Sequence, residues 1–388
     1  MNIDELLKLA ESGDANAQFG LGDCYYLGDG ASQDYDKAVE WYRLAAAQGH
    51  ADAQYAMGDC YYFGRSVVPD YGRAVEWYLK AAAQGHAEAQ CNLGDCYDCG
   101  HGVQQDYGKA VAWYRKSAAH GCAAAEYSLG EAYRLGHGVI RDGSEAVAWY
   151  KKSAMHGYAD AQLTLAECYY NGIGVDRDYR EAVKWYKSAA EQDVAAAQHN
   201  LGYCYEQGLG VERDYTLAVK WFTKAAEQDY AEAQACLGYC YSEGWGVPQD
   251  HKKAIEWYEK AAAQGNPRAQ HNLGTCYGQG EHAPQDYRKS AEWFMKAAEQ
   301  GFAPSQYNLG CQYLNGLGVP QDHKKAVDWF MKAAEQGHSD AQFNLGVCYL
   351  NGDGVPKNMT EGAKWLSKAA ERGDESAKRI LKQIGASD

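Results

Sequence analysis

"ANAQFGLGDCYYLGDGASQDYDKAVEWYRLAAAQG", Ala15 to Gly49, decides the fold, because the chain repeats it. Its centre, "GDCYYLGDG" from Gly22, returns as "GDCYYFG" at Gly58 and as "GDCYDCGHG" at Gly94. Tryptophan recurs every 36 residues from Trp41 to Trp365, and tyrosine keeps the same step from Tyr25 to Tyr349. A fixed period of this length marks a repeat architecture, in which each unit buries its apolar face against its neighbours. Ten units fill residues 15–374 with no insertion and no low-complexity linker.

Each unit reads as two helices. In the first, helix A ("ANAQFGLGDCYYL"), the positions of Ala17, Gln18, Leu21, Gly22, Cys24, Tyr25 and Gly28 barely vary between units. At about 100° per residue they occupy one arc of about 160°. Ala38, Val39, Trp41, Tyr42, Ala45 and Ala46 do the same in the second, helix B. Small residues on both faces allow close approach, with Trp and Tyr filling the space between. The Gly-x-Gly pair ends helix A in left-handed backbone. Asp34, Asp70, Asp106 and Asp142 stand where helix B needs an N-cap, and Gly49, Gly85 and Gly121 close it. The Gly-Asp-Gly of the first unit is therefore a turn between helices.

Residues 1–14 read as a lone helix B and 375–388 as a lone helix A. Lys378 and Lys382 replace the usual Gln and Gly there, as a polar outer cap requires. The expected fold is all-α: a right-handed α-solenoid of ten helix-turn-helix repeats with a capping helix at each end.

The formal charge of −15 argues against nucleic acid, whose phosphates need Lys and Arg, and against an anionic membrane surface. No apolar run reaches the roughly 18 residues of a membrane span. "MNIDELLKLAESGD" has neither the basic region nor the apolar stretch of a secretory leader, so the expected compartment is the cytoplasm. Of thirteen cysteines, eight share one register: 24, 60, 96, 168, 204, 240, 276 and 348. Equivalent positions on stacked helices lie about 8–10 Å apart, beyond the roughly 7 Å Cα limit of a disulfide, and read as small buried thiols.

The pattern A-x-A-Q-x-x-L-G-x-C-Y-x-x-G-x-G-V-x-x-D-Y-x-K-A-V-x-W-Y-x-K-A-A-x-Q-G resembles the Sel1-like repeat, a relative of the tetratricopeptide repeat. It differs from the latter in carrying Trp41 and its equivalents in the second helix. The resemblance covers almost the whole chain. It implies a non-enzymatic scaffold or adaptor that holds other proteins together, and it carries over no catalytic residue and no cofactor. A cysteine-rich branch of the family, linked to β-lactam binding or hydrolysis, staples its helices with cysteine pairs. Here the corresponding helix B positions hold Ala45, Ala81 and Ser117, which speaks against that branch without removing it.

Function is sought where the repeats differ. The variable arc of helix A, about 120° wide, is centred on Asp23, and in stacked hairpins first helices line the concave side. Its central row reads Asp23, Asp59, Asp95, Glu131 and Glu167, then Tyr203, Tyr239, Thr275, Cys311 and Val347. Phe19 and Tyr26 flank Asp23, and Tyr55 and Tyr62 flank Asp59. An acid framed by rings suits Arg or Lys, so the expected partner is a protein or peptide with a basic segment. The alternative is that these tyrosines are half-buried packing. The remaining candidate is a metal or redox site at Cys91, Cys96 and Cys99, with His101 nearby, although Cys96 already belongs to the core register. Histidines such as His50, His86 and His338 recur at the turn before helix A and are expected to serve that turn.

Overall fold

The computed structural model describes residues 3–280 and 283–385. Those residues contain 22 helices and no strand. Two compact units divide the chain, Met1–Gln192 and Asp193–Asp388.

In the first unit, helix A of repeat 1 spans Ala15–Leu27 and helix B spans Tyr35–Ala47. Both boundaries are set by the residues expected to set them. Asp34 has extended backbone and its carboxylate accepts from the Lys37 amide. Gly28 ends helix A with φ of 77° and returns its N–H to the Cys24 carbonyl. The turn histidines are N-caps too: the amides of Ala53 and Ala89 donate to the Nδ1 atoms of His50 and His86. The same grammar runs through the second unit, where Asp214, Asp250, Asp286, Asp322 and Asn358 cap the B helices.

Packing within a hairpin turns on the helix A glycine. A Cβ built on Gly22, Gly58, Gly94 or Gly130 would lie 2.3–2.6 Å from the ring of Tyr42, Tyr78, Tyr114 or Tyr150 on helix B. In the second unit Gly202, Gly274 and Gly310 meet Phe222, Phe294 and Phe330 at 2.6–2.8 Å. The ring lies against bare backbone, and both helices gain a contact that no side chain could allow. Repeat 5 places Ala166 at this position.

Packing between hairpins turns on the second turn glycine. A Cβ at Gly102 would sit 2.3 Å from the carbonyl oxygen of Tyr71, at the start of the preceding helix B. Gly138, Gly246, Gly318 and Gly354 meet the preceding helix in the same way. One core layer shows the result: Ala38, Val39, Tyr42, Ala45 and Ala46 of repeat 1 close over Ala53, Met57 and Cys60 of repeat 2, with Trp77 against them. Trp185, Trp221 and Trp365 are buried. Most other tryptophans are half-buried, with the lysine three residues on laid over the ring, Lys80 over Trp77 at 3.8 Å. The expectation that all of them fill the core is corrected on that point.

A glutamine ladder keeps the register. Gln18 Nε2 donates to the Ala10 carbonyl at 3.0 Å, and Gln48 Nε2 donates to Gln18 Oε1 at 2.8 Å. Gln54 with Gln84 and Gln162 with Gln192 repeat the bond, as do four pairs in the second unit. Buried amides satisfied in this way fix which helix faces which. The ladder breaks in repeat 3, where His120 stands at the Gln48 position and Gln90 Oε1 has no partner. Helix Ile3–Glu11 packs Leu6, Leu7 and Ala10 against Ala17 and Leu21, and helix Glu375–Gln383 packs Leu381 against Leu366.

Replacing Gly94 with Ala forces a Cβ to within 2.3 Å of a buried ring. Overpacking of this kind costs about 1–3 kcal/mol, and urea unfolding of G94A should show it. Gly108, whose nearest contact is the tip of Asp106 at 3.3 Å, should tolerate Ala with a far smaller change.

Candidate functional site

The variable face of helix A is built on the same contact. Residue 23 follows the packed Gly22, so its side chain emerges beside the Tyr42 ring. Tyr42 Oη donates to Asp23 Oδ1 at 2.7 Å. Tyr78 donates to Asp59 at 2.7 Å and Tyr114 to Asp95 at 2.8 Å, and Tyr150 donates to Glu131. The acidic row is thus tied at its base to the phenols of helix B. A phenol buried to 4% exposure or less needs an acceptor, and the carboxylate supplies one.

The sequence carries a signal for this pairing. Residues 19 positions apart read Asp-Tyr three times and Glu-Tyr twice in repeats 1–5. In repeats 6–10 the acid is gone, and four of the five phenols are gone with it: Phe222, Phe294, Phe330 and Leu366. Tyr258 keeps its hydroxyl, which bonds Asn272 instead. Acid and phenol come and go together in every repeat but the seventh.

Burial pushes the carboxyls of Asp23, Asp59 and Asp95 above the ordinary 3.8, outweighing the phenol hydrogen bonds that pull them down. No cation is placed to reverse this. Glu131 is the exception. Burial raises it most, but Arg134, with Nε 3.0 Å from Oε1, and Tyr150 together bring it below its usual value. Glu167 is exposed.

Five of the residues expected on this face line one pocket of about 260 Å³: Phe19, Asp23, Tyr26, Tyr55 and Asp59. Asp52, Leu27, Tyr42 and Ala56 complete it, so three carboxylates and four rings face one space. His86 Nε2 holds Asp52 at 3.1 Å, and the Arg65 guanidinium lies 5.1 Å from the Tyr26 ring centre. Asp52 belongs to the pocket too: it stands at the Asn16 position of the variable arc, in the first turn of helix A and off the central row. Tyr62 turns away, bonding His101 Nδ1 at 2.8 Å and packing edge-on against Tyr71.

A second pocket of about 270 Å³ joins Asp95 and Glu131 with Asp98, Tyr114 and His137. In the second unit, Tyr203 and Tyr239 are exposed. Tyr239 borders a smaller pocket of about 180 Å³ with Glu243, Tyr258 and Thr275.

Seven of the eight register thiols are core residues, and Cys24, in the first repeat, is only partly buried. Burial pushes Cys60, Cys96, Cys204 and Cys240 up to about 12. Cys99 is exposed and Cys91 is buried; Cys91 hydrogen-bonds Cys122. The grouping of Cys91, Cys96 and Cys99 is therefore replaced by a pair that includes a cysteine 31 residues further on. Among the described residues no three or more His, Cys, Asp or Glu side chains are placed to hold a metal.

These features define a class: an all-α repeat solenoid with a fixed core and a variable face along its first helices. The Sel1 repeat model matches ten consecutive segments: 15–50, 51–86, 87–122, 123–158, 159–194, 195–230, 231–266, 267–302, 303–338 and 339–374. The chain belongs to the Sel1 repeat family, whose members generally mediate protein–protein interaction. Among solved structures it is similar to c5321, described as a protective antigen present in uropathogenic Escherichia coli strains displaying an SLR fold. The two share 40% identity and a TM-score of 0.89, over 99% of this chain and 82% of that one. A Sel1 repeat protein from Oxalobacter formigenes is 35% identical with a TM-score of 0.65, over 80% of this chain and 89% of that one. A comparison with curated proteins found no match. Among the described residues no helix is long and apolar enough to cross a membrane.

Asp95 tests the electrostatics of the row. Its folded carboxyl titrates above 3.8, so the native state prefers the protonated form. That preference stabilises fully below the unfolded pKa and is lost as pH rises through the folded one. Asp95→Asn keeps an acceptor for Tyr114 and removes the buried charge. It should raise Tm near pH 7, with the gain shrinking to nothing near pH 3. Asp95→Ala strands the phenol and should lower stability by about 1–3 kcal/mol.

Proposed function

We propose that the chain is a non-enzymatic scaffold whose helix A face binds a protein or peptide, anchored by a Lys or Arg side chain in the pocket between repeats 1 and 2. The observation that carries this is the pocket itself, which sets Asp23, Asp52 and Asp59 among Phe19, Tyr26, Tyr42 and Tyr55. Its volume suits one long side chain and falls below the roughly 300–1,000 Å³ of a site for a drug-sized ligand. An entering cation would offset the burial that disfavours the Asp23 and Asp59 carboxylates, while rings hold its aliphatic stem. Asp95, Glu131 and Glu167 extend the acidic stretch along the same face. Tyr203 and Tyr239 offer apolar contact further on.

The same reading takes 15–374 as the binding array, 1–14 and 375–388 as its caps, and the cytoplasm as its compartment. Catalysis by the register cysteines has no support. Their thiols are held protonated, and His50 and His86 are engaged as helix caps, each within 4.0 Å of Asp52.

A short arginine-rich peptide and its glutamate counterpart test the proposal by fluorescence anisotropy. The arginine peptide should bind, and binding should weaken as salt shortens screening to about 8 Å near 0.15 M. Asp52→Lys, an exposed substitution, should reduce affinity on the order of tenfold at low salt, since each contact is worth up to ~1 kcal/mol and adds to the reversed charge. Tyr55→Ala should weaken binding at every salt concentration. Equal binding of both peptides, or an unchanged affinity in D52K, would remove the pocket from the account.

A further inference from the structure

Two positions of every repeat meet across the start of helix A: that of Phe19 and that of His50. In six repeats both carry rings, and the rings touch. Phe19 stacks on His50 at 4.9 Å between centres, Tyr55 on His86 at 4.7 Å, and Tyr307 on His338 at 4.8 Å. Tyr127 with Tyr158, His199 with Tyr230, and His271 with Phe302 meet at 5.3–5.5 Å. In repeat 3 alone both positions are cysteine, Cys91 and Cys122. Cys91 is 5% exposed and shares its core cluster with Cys122.

We propose that Cys91 and Cys122 form a redox-active dithiol, oxidised by low-molecular-weight disulfides to an intramolecular bridge. The site takes the Phe19 position in repeat 3 and shares no residue with the pocket of repeats 1 and 2. The two thiols have opposite characters. Cys122 is only partly buried and occupies the N-cap of helix Ala123–Leu135, where the positive end of the helix favours a thiolate. The hydrogen bond from Cys91 is the main cause that lowers its pKa, against the opposing effect of burial. That same bond first, and then burial, keep Cys91 protonated. Attack therefore begins at Cys122 and resolution falls to Cys91.

The Cys122 thiolate attacks one sulfur of the small disulfide RSSR, forming a mixed disulfide and expelling RS⁻. Cys91 then gives its proton to the departing thiolate. Its sulfur attacks Cys122 Sγ, making the Cys91–Cys122 bond and breaking the mixed disulfide. Two protein thiols are oxidised and one RSSR is reduced to two RSH. The bridge ties the helix Ala87–Cys99 to the start of the helix Ala123–Leu135, joining consecutive repeats.

The test uses the full chain with oxidised glutathione, followed by acid quench and non-reducing peptide mapping. The thirteen thiols should fall by two, and one cross-linked peptide should join Cys91 to Cys122. In Cys91→Ser the reaction should stop at a glutathione adduct on Cys122. Native wild-type protein should also alkylate with iodoacetamide at Cys122 on the order of tenfold faster than at the more exposed Cys99 near pH 7, because thiolate content sets the rate. Faster labelling of Cys99, or glutathione adducts on Cys99 with Cys91 and Cys122 left free, would overturn the proposal.

Discussion

The contact between a helix A glycine and a helix B aromatic ring governs the rest of the molecule. With a ring lying 2.3–2.8 Å from where a Cβ would be, the two helices of a hairpin approach as closely as backbone permits. That closeness leaves no room for water around the ring, so a phenol there must find its acceptor within the protein. The residue after the glycine is the one within reach. An acid at that place is therefore first a structural partner, and its exposure to the helix A face follows from the geometry of the hairpin.

This dual position explains how a packing rule could become a binding surface. A carboxylate that satisfies a buried phenol remains under partial desolvation, which outweighs the pull of His50 at Asp23 and of His86 at Asp59. Repeat 4 differs, because Arg134 is already paired with Glu131. Where Phe replaces Tyr in the second unit, the structural demand disappears and the acid with it. The row then holds Tyr203, Thr275 or Cys311.

The helical register was legible in the sequence because repetition multiplies each weak signal tenfold. Helix limits, aspartate caps and turn glycines follow from positions that recur at one spacing, and local chemistry alone specifies them. The histidine caps were legible only as turn residues, since a cap is a hydrogen bond and not a pattern. What stayed hidden depends on pairs of residues. Asp52 joins the pocket through the stacking of one repeat on the next, Tyr62 leaves it for His101, and Cys91 finds Cys122 across a hairpin. The acid–phenol pairing could have been read from covariation between positions 19 apart. Reading the two helices as separate faces concealed it.

A cation bound beside carboxylates disfavoured by burial must lower their pKa values. Site-resolved carbon-13 titration of the Asp23 and Asp59 carboxyls, with and without a saturating arginine-rich peptide, addresses that most directly. Both midpoints should lie above 3.8 in the free chain and fall below their free values when the peptide is bound. Peptide binding that leaves both midpoints where they were would contradict the account.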